Sequence, residues 1–482
     1  MNDLGPLLVN AVLLVPIGSA MLLALFPDDR VTGRLNALAS LLTFLASTSL
    51  FFFRPAVGSF LIVDDVNVVF IVLTTFVSFT TSVFSSTYIA HELETGRLTP
   101  TYLRFYHAMY QTLMFAMNLA LLANNMGLMW VAIELATLTT VLMVGLYRTP
   151  AAIEAAWKYF ILGSVGIALA LFGTLLVYLA ARSVVGEGLD AMAWNVLVTK
   201  AAEFDPHLLN LAFVFLLLGY GTKVGLVPLH AWLPDAHAEG PTPISAVLSG
   251  LLLNVALFAV LRFKMIMSGN PGALAPGPLM VTLGLLSVLF AAFMLYRRHD
   301  IKRMFAYSSI EHMGIITFAF GMGGPLANFA GLLHMTYHSL TKSAIFFSVG
   351  HIAQIKGTQK MADIRGLTVS HPVLGWGLVL GVITIVGLPP TGIFMTEFLI
   401  ITSTFARQPA LAVALGLGLL VALGALLLRL NALAFGEPYG KDAPSQASYV
   451  PMFTHLGLVV VAGVSLPPAL VAWFQHVATL LG

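Results

Sequence analysis

The chain contains no cysteine, which excludes disulfides, thiol nucleophiles and iron–sulfur clusters held by its own residues. Charge is nearly as scarce: Asp, Glu, Lys and Arg make up 9% of the 482 residues against 59% hydrophobic, and mean hydropathy is +0.92. A soluble fold cannot hide that much apolar surface, so the composition is that of an integral membrane protein. The net charge of +2 is too small, and the basic runs too short, to make an electrostatic footprint for nucleic acid. A cleavable leader pattern is also missing. The first apolar run, about 7–26, follows no basic segment and enters Pro27-Asp28-Asp29-Arg30 without a small-residue cleavage site, so it reads as a first membrane helix. Long polar stretches are absent too: the longest, 181–207, leaves no room for a separate soluble domain.

What remains is a series of apolar stretches of about twenty residues, the length that crosses a hydrocarbon core. Fourteen are predicted, at about 7–26, 35–53, 66–88, 104–123, 127–146, 158–181, 208–232, 242–266, 276–296, 301–320, 327–354, 371–400, 410–434 and 452–476. The expected fold is an all-α polytopic membrane protein. Lys and Arg concentrate on the side opposite the N-terminus, from Arg30 and Arg34 through Lys302 and Arg303 to Lys441. The N-terminal side holds only Arg54, Arg182, Lys200, Arg262, Lys264 and Arg407. This excess places both termini outside the cytoplasm. Lys223 and Lys342 are left over, inside helices.

Two helices carry breaks. Val224-Gly225-Leu226-Val227-Pro228 in the seventh has a counterpart in Val386-Gly387-Leu388-Pro389-Pro390 in the twelfth. Proline removes a helical hydrogen bond and clashes with the preceding turn, and loose backbone at membrane depth is tolerated only where it faces protein or water. The breaks therefore point to an internal polar cavity. Helices seven and twelve are five apart, an odd number, so equivalent units run in opposite directions, as in inverted-repeat transporters. The expected organisation is three N-terminal helices (1–103), a first repeat of five (104–266), a second of five (276–434), and a C-terminal helix (435–482).

Ionisable residues fall inside these helices: Glu134, Lys223, Glu311, His312, His334, His338, Lys342, His351 and Glu397, with His230 just past the first break. A Lys or Asp at a helix centre costs ~2.5–3.5 kcal/mol on insertion scales, and packing alone rarely needs so many. His334, His338 and Lys342 recur every four residues, which places them on one slowly rotating stripe. Imidazole, with an ordinary pKa of about 6.5, suits proton transfer along such a stripe. Satisfied interhelical contacts would explain the stripe equally in kind, snorkelling would explain Lys223, and a static ion pair would explain Glu134. Lys223 lies well inside its helix beside the break, however, and a carboxylate that approaches or leaves a buried lysine controls that lysine's proton affinity. Glu397 lies eight residues beyond Pro389. Asp235, His237 and Glu239 follow the first break as loop or mouth residues. Asp64-Asp65 and Asp28-Asp29 read as solvated helix ends, and the methionines as packing. Haem ligation by His334 and His338 lacks a facing pair.

The segment from Lys223 to His237, KVGLVPLHAWLPDAH, followed by Gly240-Pro241-Thr242-Pro243, resembles the signature of the antiporter-like proton-pumping subunits of respiratory complex I. So does Asp300-Ile301-Lys302-Arg303-Met304-Phe305-Ala306-Tyr307-Ser308-Ser309 with His312-Met313-Gly314. The same family includes membrane subunits of multisubunit sodium/proton antiporters and of energy-converting hydrogenases. The ending after a fourteenth helix and the Glu397 segment are most similar to its hydrogenase-4 branch. The resemblance implies that Glu134 modulates Lys223, that His334, His338 and Lys342 join two half-channels, and that the proton leaves from Glu397. Asn254 stands where several relatives place an eighth-helix lysine. An amide cannot change charge, so the connection must use water, His230 or the eleventh-helix histidines, with His237, Asn254, Glu311 and His312 as further candidates.

The expected function is proton translocation from cytoplasm to outside by a multi-pass inner-membrane subunit of a redox-driven complex, of hydrogenase or NADH–quinone type. No catalytic residue, cofactor or metal of its own is expected. Its partners would be further membrane subunits, other antiporter-like ones included, a soluble iron–sulfur/nickel–iron or NADH-oxidising arm, and lipid; no nucleic acid. A sodium/proton antiporter subunit and a non-pumping membrane anchor for the redox arm are the alternatives.

Overall fold

A computed structural model describes residues 4–26, 29–443 and 448–482, with only the backbone of residues 29 and 30. The reading of Asp28-Asp29 as a solvated helix end lies outside the described residues, as does the side chain of Arg30. The described residues form helices and connecting segments: α1 (Leu4–Leu25), α2 (Asp29–Ser49), α3 (Asp65–Glu94), α4 (Pro100–Leu122), α5 (Met126–Val144), α6 (Pro150–Val185), α7 (Trp194–Lys200), α8 (Pro206–Val224), α9 (Trp232–Glu239), α10 (Thr242–Ser268), α11 (Gly277–Tyr296), α12 (Ile301–Met322), α13 (Pro325–Lys356), the single turn α14 (Leu367–Ser370), α15 (Pro372–Ile385), α16 (Gly392–Phe405), α17 (Pro409–Ala434), α18 (Val450–Val464) and α19 (Pro468–Leu480). Among the described residues eight helices are long and apolar enough to cross a membrane. α12 and α13 have the length, but they carry the Lys, Glu and His residues singled out above.

Helix starts follow from local chemistry. Thr99-Pro100, Thr149-Pro150 and Asp205-Pro206 each put a capping oxygen before a proline whose missing N–H costs nothing in the first turn. Asp64 caps α3 in a reciprocal box with Asn67 and pairs at 2.7 Å with the buried Arg262, so it is more than a solvated end.

The ends of α8 and α15 share one backbone motif. Leu226 N donates to Gly221 O and Gly225 N to Thr222 O; Leu388 N donates to Ile383 O and Gly387 N to Thr384 O. Gly225 (φ +82°) and Gly387 (φ +66°) take the left-handed conformation that closes a helix this way. α9 and α16 resume after Pro228 and Pro390. The loose backbone is covered: Trp232 Nε1 donates to Thr222 O at 2.8 Å, and Val227 N to Ser287 Oγ at 2.9 Å. The first break is thus lined by protein, as the bilayer requires.

The segment expected as one helix at 452–476 is instead two, α18 and α19, bent by 84° at Ser465-Leu466-Pro467-Pro468, where neighbouring prolines withhold two backbone donors. Packing is tightest where glycines let backbones meet. A Cβ at Gly219 would lie 2.5 Å from Ala170 N, and one at Gly284 would lie 2.6 Å from Phe318 N, so α6–α8 and α11–α12 approach closely. Helix α13 runs through the middle of the molecule, with nearly every residue from Ala330 to Ile352 buried.

Three basic residues counted above toward the charge of the two membrane sides are buried at helix ends. Lys302 donates to Ala238 O and to Gly240 O (2.6 Å), tying α12 to the end of α9. Arg262 lies over the Trp194 ring, 3.9 Å from its centroid, and Lys264 donates to Leu481 O at 2.6 Å.

Candidate functional site

Two clusters of ionisable groups form at the two breaks. At the first, Lys223 stands on the last turn of α8 and is fully buried. Its Nζ donates to Thr137 Oγ1 at 2.7 Å and lies 3.7 Å from Glu134 Oε2. Thr137 and Glu134 are one turn apart on α5, so both face α8. The carboxylate is within ion-pairing range but beyond a hydrogen bond, and its side chain is 20% exposed against 2% for Lys223. At this separation an effective dielectric of about 20 makes the attraction about 4 kcal/mol. That matches the ~2.5–3.5 kcal/mol of placing a lysine in the bilayer centre. The pocket is rigid on its other side: Tyr159 stacks on Trp232 at 4.2 Å and bonds Thr140 Oγ1 at 2.8 Å, and a Cβ on Gly163 would meet Lys223 Nζ at 2.9 Å.

The second cluster joins α12, α13 and α16. His312 Nδ1 and His334 Nε2 share a hydrogen bond of 2.9 Å, and His334 Nδ1 is 2.8 Å from Thr396 Oγ1. His338, one turn along α13, stacks on His312 with ring centroids 5.6 Å apart; among the described residues neither of its nitrogens has a protein partner. Lys342, a further turn on, donates to Phe305 O at 3.0 Å. A ligating atom of Glu397 lies within 4.8 Å of one on His312 and one on His334. Glu397 and Glu311 line one cavity of about 10 Å³ beside Ile385 and Val386, room for about one water. A Cβ at Gly387 would strike the Glu397 carboxylate, so the break itself makes space for this group.

Between the clusters lie further polar groups. Asn254 Nδ2 donates to Ser339 Oγ at 2.6 Å, and Ser339 donates in turn to Gly250 O at 2.6 Å, within the widened turn Leu248–Leu252 of α10. His230 sits at the first break against Phe290, 4.8 Å between ring centroids, with Nδ1 unpartnered among the described residues. His237 on α9 is fully buried, stacked on Phe346 at 4.9 Å, with both nitrogens unpartnered among the described residues. Asp235 and Glu239 join Lys158 and Arg303 in a surface ion-pair network beside it. His351 lies apart, near Ser448 O at 3.4 Å.

The structure thus brings Glu134 to Lys223, and His312, His334, His338 and Glu397 to one another. It leaves His230, His237 and Asn254 separate, in the region between. Spacing alone ranked His312 below the α13 stripe, yet it touches two members of that stripe. Thr137 and Thr396 were missed altogether. Their only signal was position: three residues after Glu134 and directly before Glu397.

Helices broken at charged, buried clusters define an antiporter-like membrane subunit. The chain belongs to the NADH:quinone oxidoreductase/Mrp antiporter transmembrane family, whose match covers residues 123–422. It is 64% identical over 471 residues, 98% of this chain and 99% of the relative, to a Hydrogenase-4 component F homolog of Methylacidiphilum infernorum (isolate V4). It is 30% identical over 295 residues, 61% of this chain and 56% of the relative, to NADH-quinone oxidoreductase subunit M of Pseudomonas aeruginosa. Among solved structures, the fold is similar to a chain of the membrane-bound sulfane sulfur reductase, an archaeal respiratory membrane complex. There the TM-score is 0.88 at 21% identity, covering 98% of this chain and 97% of that one.

Proposed function

We propose that this chain translocates protons from the cytoplasm to the outer side of an inner membrane as one subunit of a redox-driven, hydrogenase-4-type complex. The observation that carries this reading is the loose Lys223–Glu134 pair at the first break, 3.7 Å apart and held from the other side by Thr137. A proton reaching Lys223 is retained while Glu134 is close. Withdrawal of the partly exposed carboxylate leaves an ammonium without a counter-charge in low-dielectric surroundings, and the proton leaves. Its onward route runs past His230 or His237, around the neutral Asn254–Ser339 contact, to Lys342, His338, His312 and His334, and out at Glu397 by the cavity shared with Glu311.

The architecture that goes with this reading has fourteen membrane helices with both termini outside, α8–α9 and α15–α16 being the broken seventh and twelfth. The repeats are 104–266 and 276–434 in opposite senses, with helices 1–103 before and 435–482 after them. The shared closing motif at Gly225 and Gly387 supports the pairing of the breaks. The partners in this reading are further membrane subunits and a soluble nickel–iron, iron–sulfur arm, in keeping with the 64% identity to a hydrogenase-4 component.

The test is redox-driven proton uptake in sealed vesicles holding the assembled complex, wild type against Lys223→Ala at equal assembly. Loss of uptake with electron transfer retained is expected. Normal uptake in the variant would refute the reading, and sodium-dependent exchange without a redox partner would move the chain to the antiporter branch.

A further inference from the structure

His312, His334 and Glu397 come from three different helices, and one ligating atom from each lies within 4.8 Å of the other two. We propose that these side chains form a binding site for a zinc-type transition-metal dication, and that the bound ion stops proton transfer at the second break. The binding stands on the geometry alone; only its effect on transport rests on the function proposed above.

Two imidazole nitrogens and one carboxylate oxygen are the donor set of three-ligand zinc sites that keep a fourth position open. Hard cations such as Ca²⁺ and Mg²⁺ ask for about six oxygens, and this cluster has too few. The affinity order of divalent metals on mixed N,O ligands favours Zn²⁺, Cu²⁺ and Ni²⁺ over Mn²⁺. His334 is held as a ligating histidine usually is, its other nitrogen 2.8 Å from Thr396 Oγ1, whose hydroxyl in turn meets Ile393 O at 2.8 Å. With Nδ1 so engaged, Nε2 is the nitrogen that faces His312. Glu397 also lines the cavity of about 10 Å³, which admits about one water.

Charge favours the same conclusion. A dication at membrane depth needs compensation, and Glu311 lines that cavity beside Glu397, with its Oε2 unpartnered among the described residues. Two carboxylates and one dication sum to zero. Lys342 opposes binding from further along α13, but its Nζ is committed to Phe305 O at 3.0 Å. Binding displaces the proton shared by His312 Nδ1 and His334 Nε2, which moves to the other nitrogen of its own ring, so both imidazoles ligate as neutral groups and only a proton held by Glu397 is released. The atoms that ligate are those that would pass the proton, so the bound ion and the relay exclude each other.

The experiment equilibrates the purified complex in nanodiscs with Zn²⁺, removes free ion, and compares zinc content and zinc K-edge absorption of wild type, His334→Ala and Thr396→Val. We expect about one zinc per complex more in wild type than in His334→Ala, with a first shell of N and O near 2.0–2.1 Å that includes imidazole. Thr396→Val keeps all three ligands and should bind about 10–100-fold more weakly, a test that survives if the alanine variant assembles poorly. Equal zinc content and identical spectra in all three proteins would overturn the site. Proton uptake measured at the saturating zinc concentration separates the two ideas: loss of uptake supports both, while site-specific zinc with normal uptake leaves the metal site standing and removes this cluster from the relay.

Discussion

At the residue scale, the ammonium of Lys223 is positioned by a neutral hydroxyl at 2.7 Å more closely than by its counter-ion at 3.7 Å. Thr137 should therefore matter to transport although it has no charge. A hydrogen bond to a charged group is worth about 1.5–3 kcal/mol, so Thr137→Val should lower proton uptake per electron by about tenfold or more, and Thr137→Ser should restore most of it. An unchanged Thr137→Val, measured in the vesicle assay, would mean that the hydroxyl only fills space. Glu134→Gln removes the charge and keeps the shape, and should abolish uptake while leaving assembly intact. The ionisable members of both clusters were legible because charge inside an apolar run stands out against its surroundings. Thr137 and Thr396 were not, since threonines throughout these helices bond their own backbone, as Thr140, Thr174 and Thr317 do. His312 was undervalued for a related reason: its importance comes from a neighbour on α13, 22 residues away in sequence.

At the scale of elements, the two breaks differ in what their glycines permit. At Gly225 a Cβ would meet the flexible Leu233 side chain, whereas at Gly387 it would strike the Glu397 carboxylate. Both residues adopt positive φ, where an L side chain costs roughly 1–2 kcal/mol. Gly225→Ala and Gly387→Ala should therefore lower the thermal unfolding midpoint in detergent by similar amounts. Gly387→Ala should in addition reduce proton uptake severalfold at equal assembly, because the carboxylate must move. Equal uptake in the two variants would show that the position of Glu397 is immaterial. The breaks were legible from Gly and Pro in an apolar run. The 84° bend between α18 and α19 was not, because Pro467-Pro468 lies in a stretch apolar enough to read as continuous. Nor could periodicity reveal that Lys302 turns inward to the carbonyls of Ala238 and Gly240, since a lysine at the start of a helix ordinarily reads as a solvated loop charge.

At the scale of the whole molecule, the membrane class was evident from composition, because 59% hydrophobic residues leave no soluble alternative. Which distant segments hold one another was not, because those contacts rest on single residues far apart in the sequence. The pair of Arg262 and Asp64 is such a contact, joining the start of α3 to the last turns of α10, with Trp194 of α7 stacked on the guanidinium. Arg262 is 1% exposed, so its charge has no recourse to water if the carboxylate is lost. Removing one partner of a buried ion pair costs about 3–5 kcal/mol, whereas replacing the pair with apolar groups is often neutral. Asp64 keeps some exposure and also caps α3 through Val66 N and Asn67 N, and an asparagine side chain caps a helix about as well as an aspartate. Asp64→Asn should thus report the unpaired guanidinium almost alone, and should lower the unfolding midpoint clearly. Arg262→Met should be milder, because it leaves a carboxylate that reaches solvent. The double variant should be more stable than Asp64→Asn by about 2 kcal/mol or more. If the single effects instead simply add in thermal unfolding of the purified subunit, the two groups are not coupled, and the junction between α3 and α10 is held by its apolar packing alone.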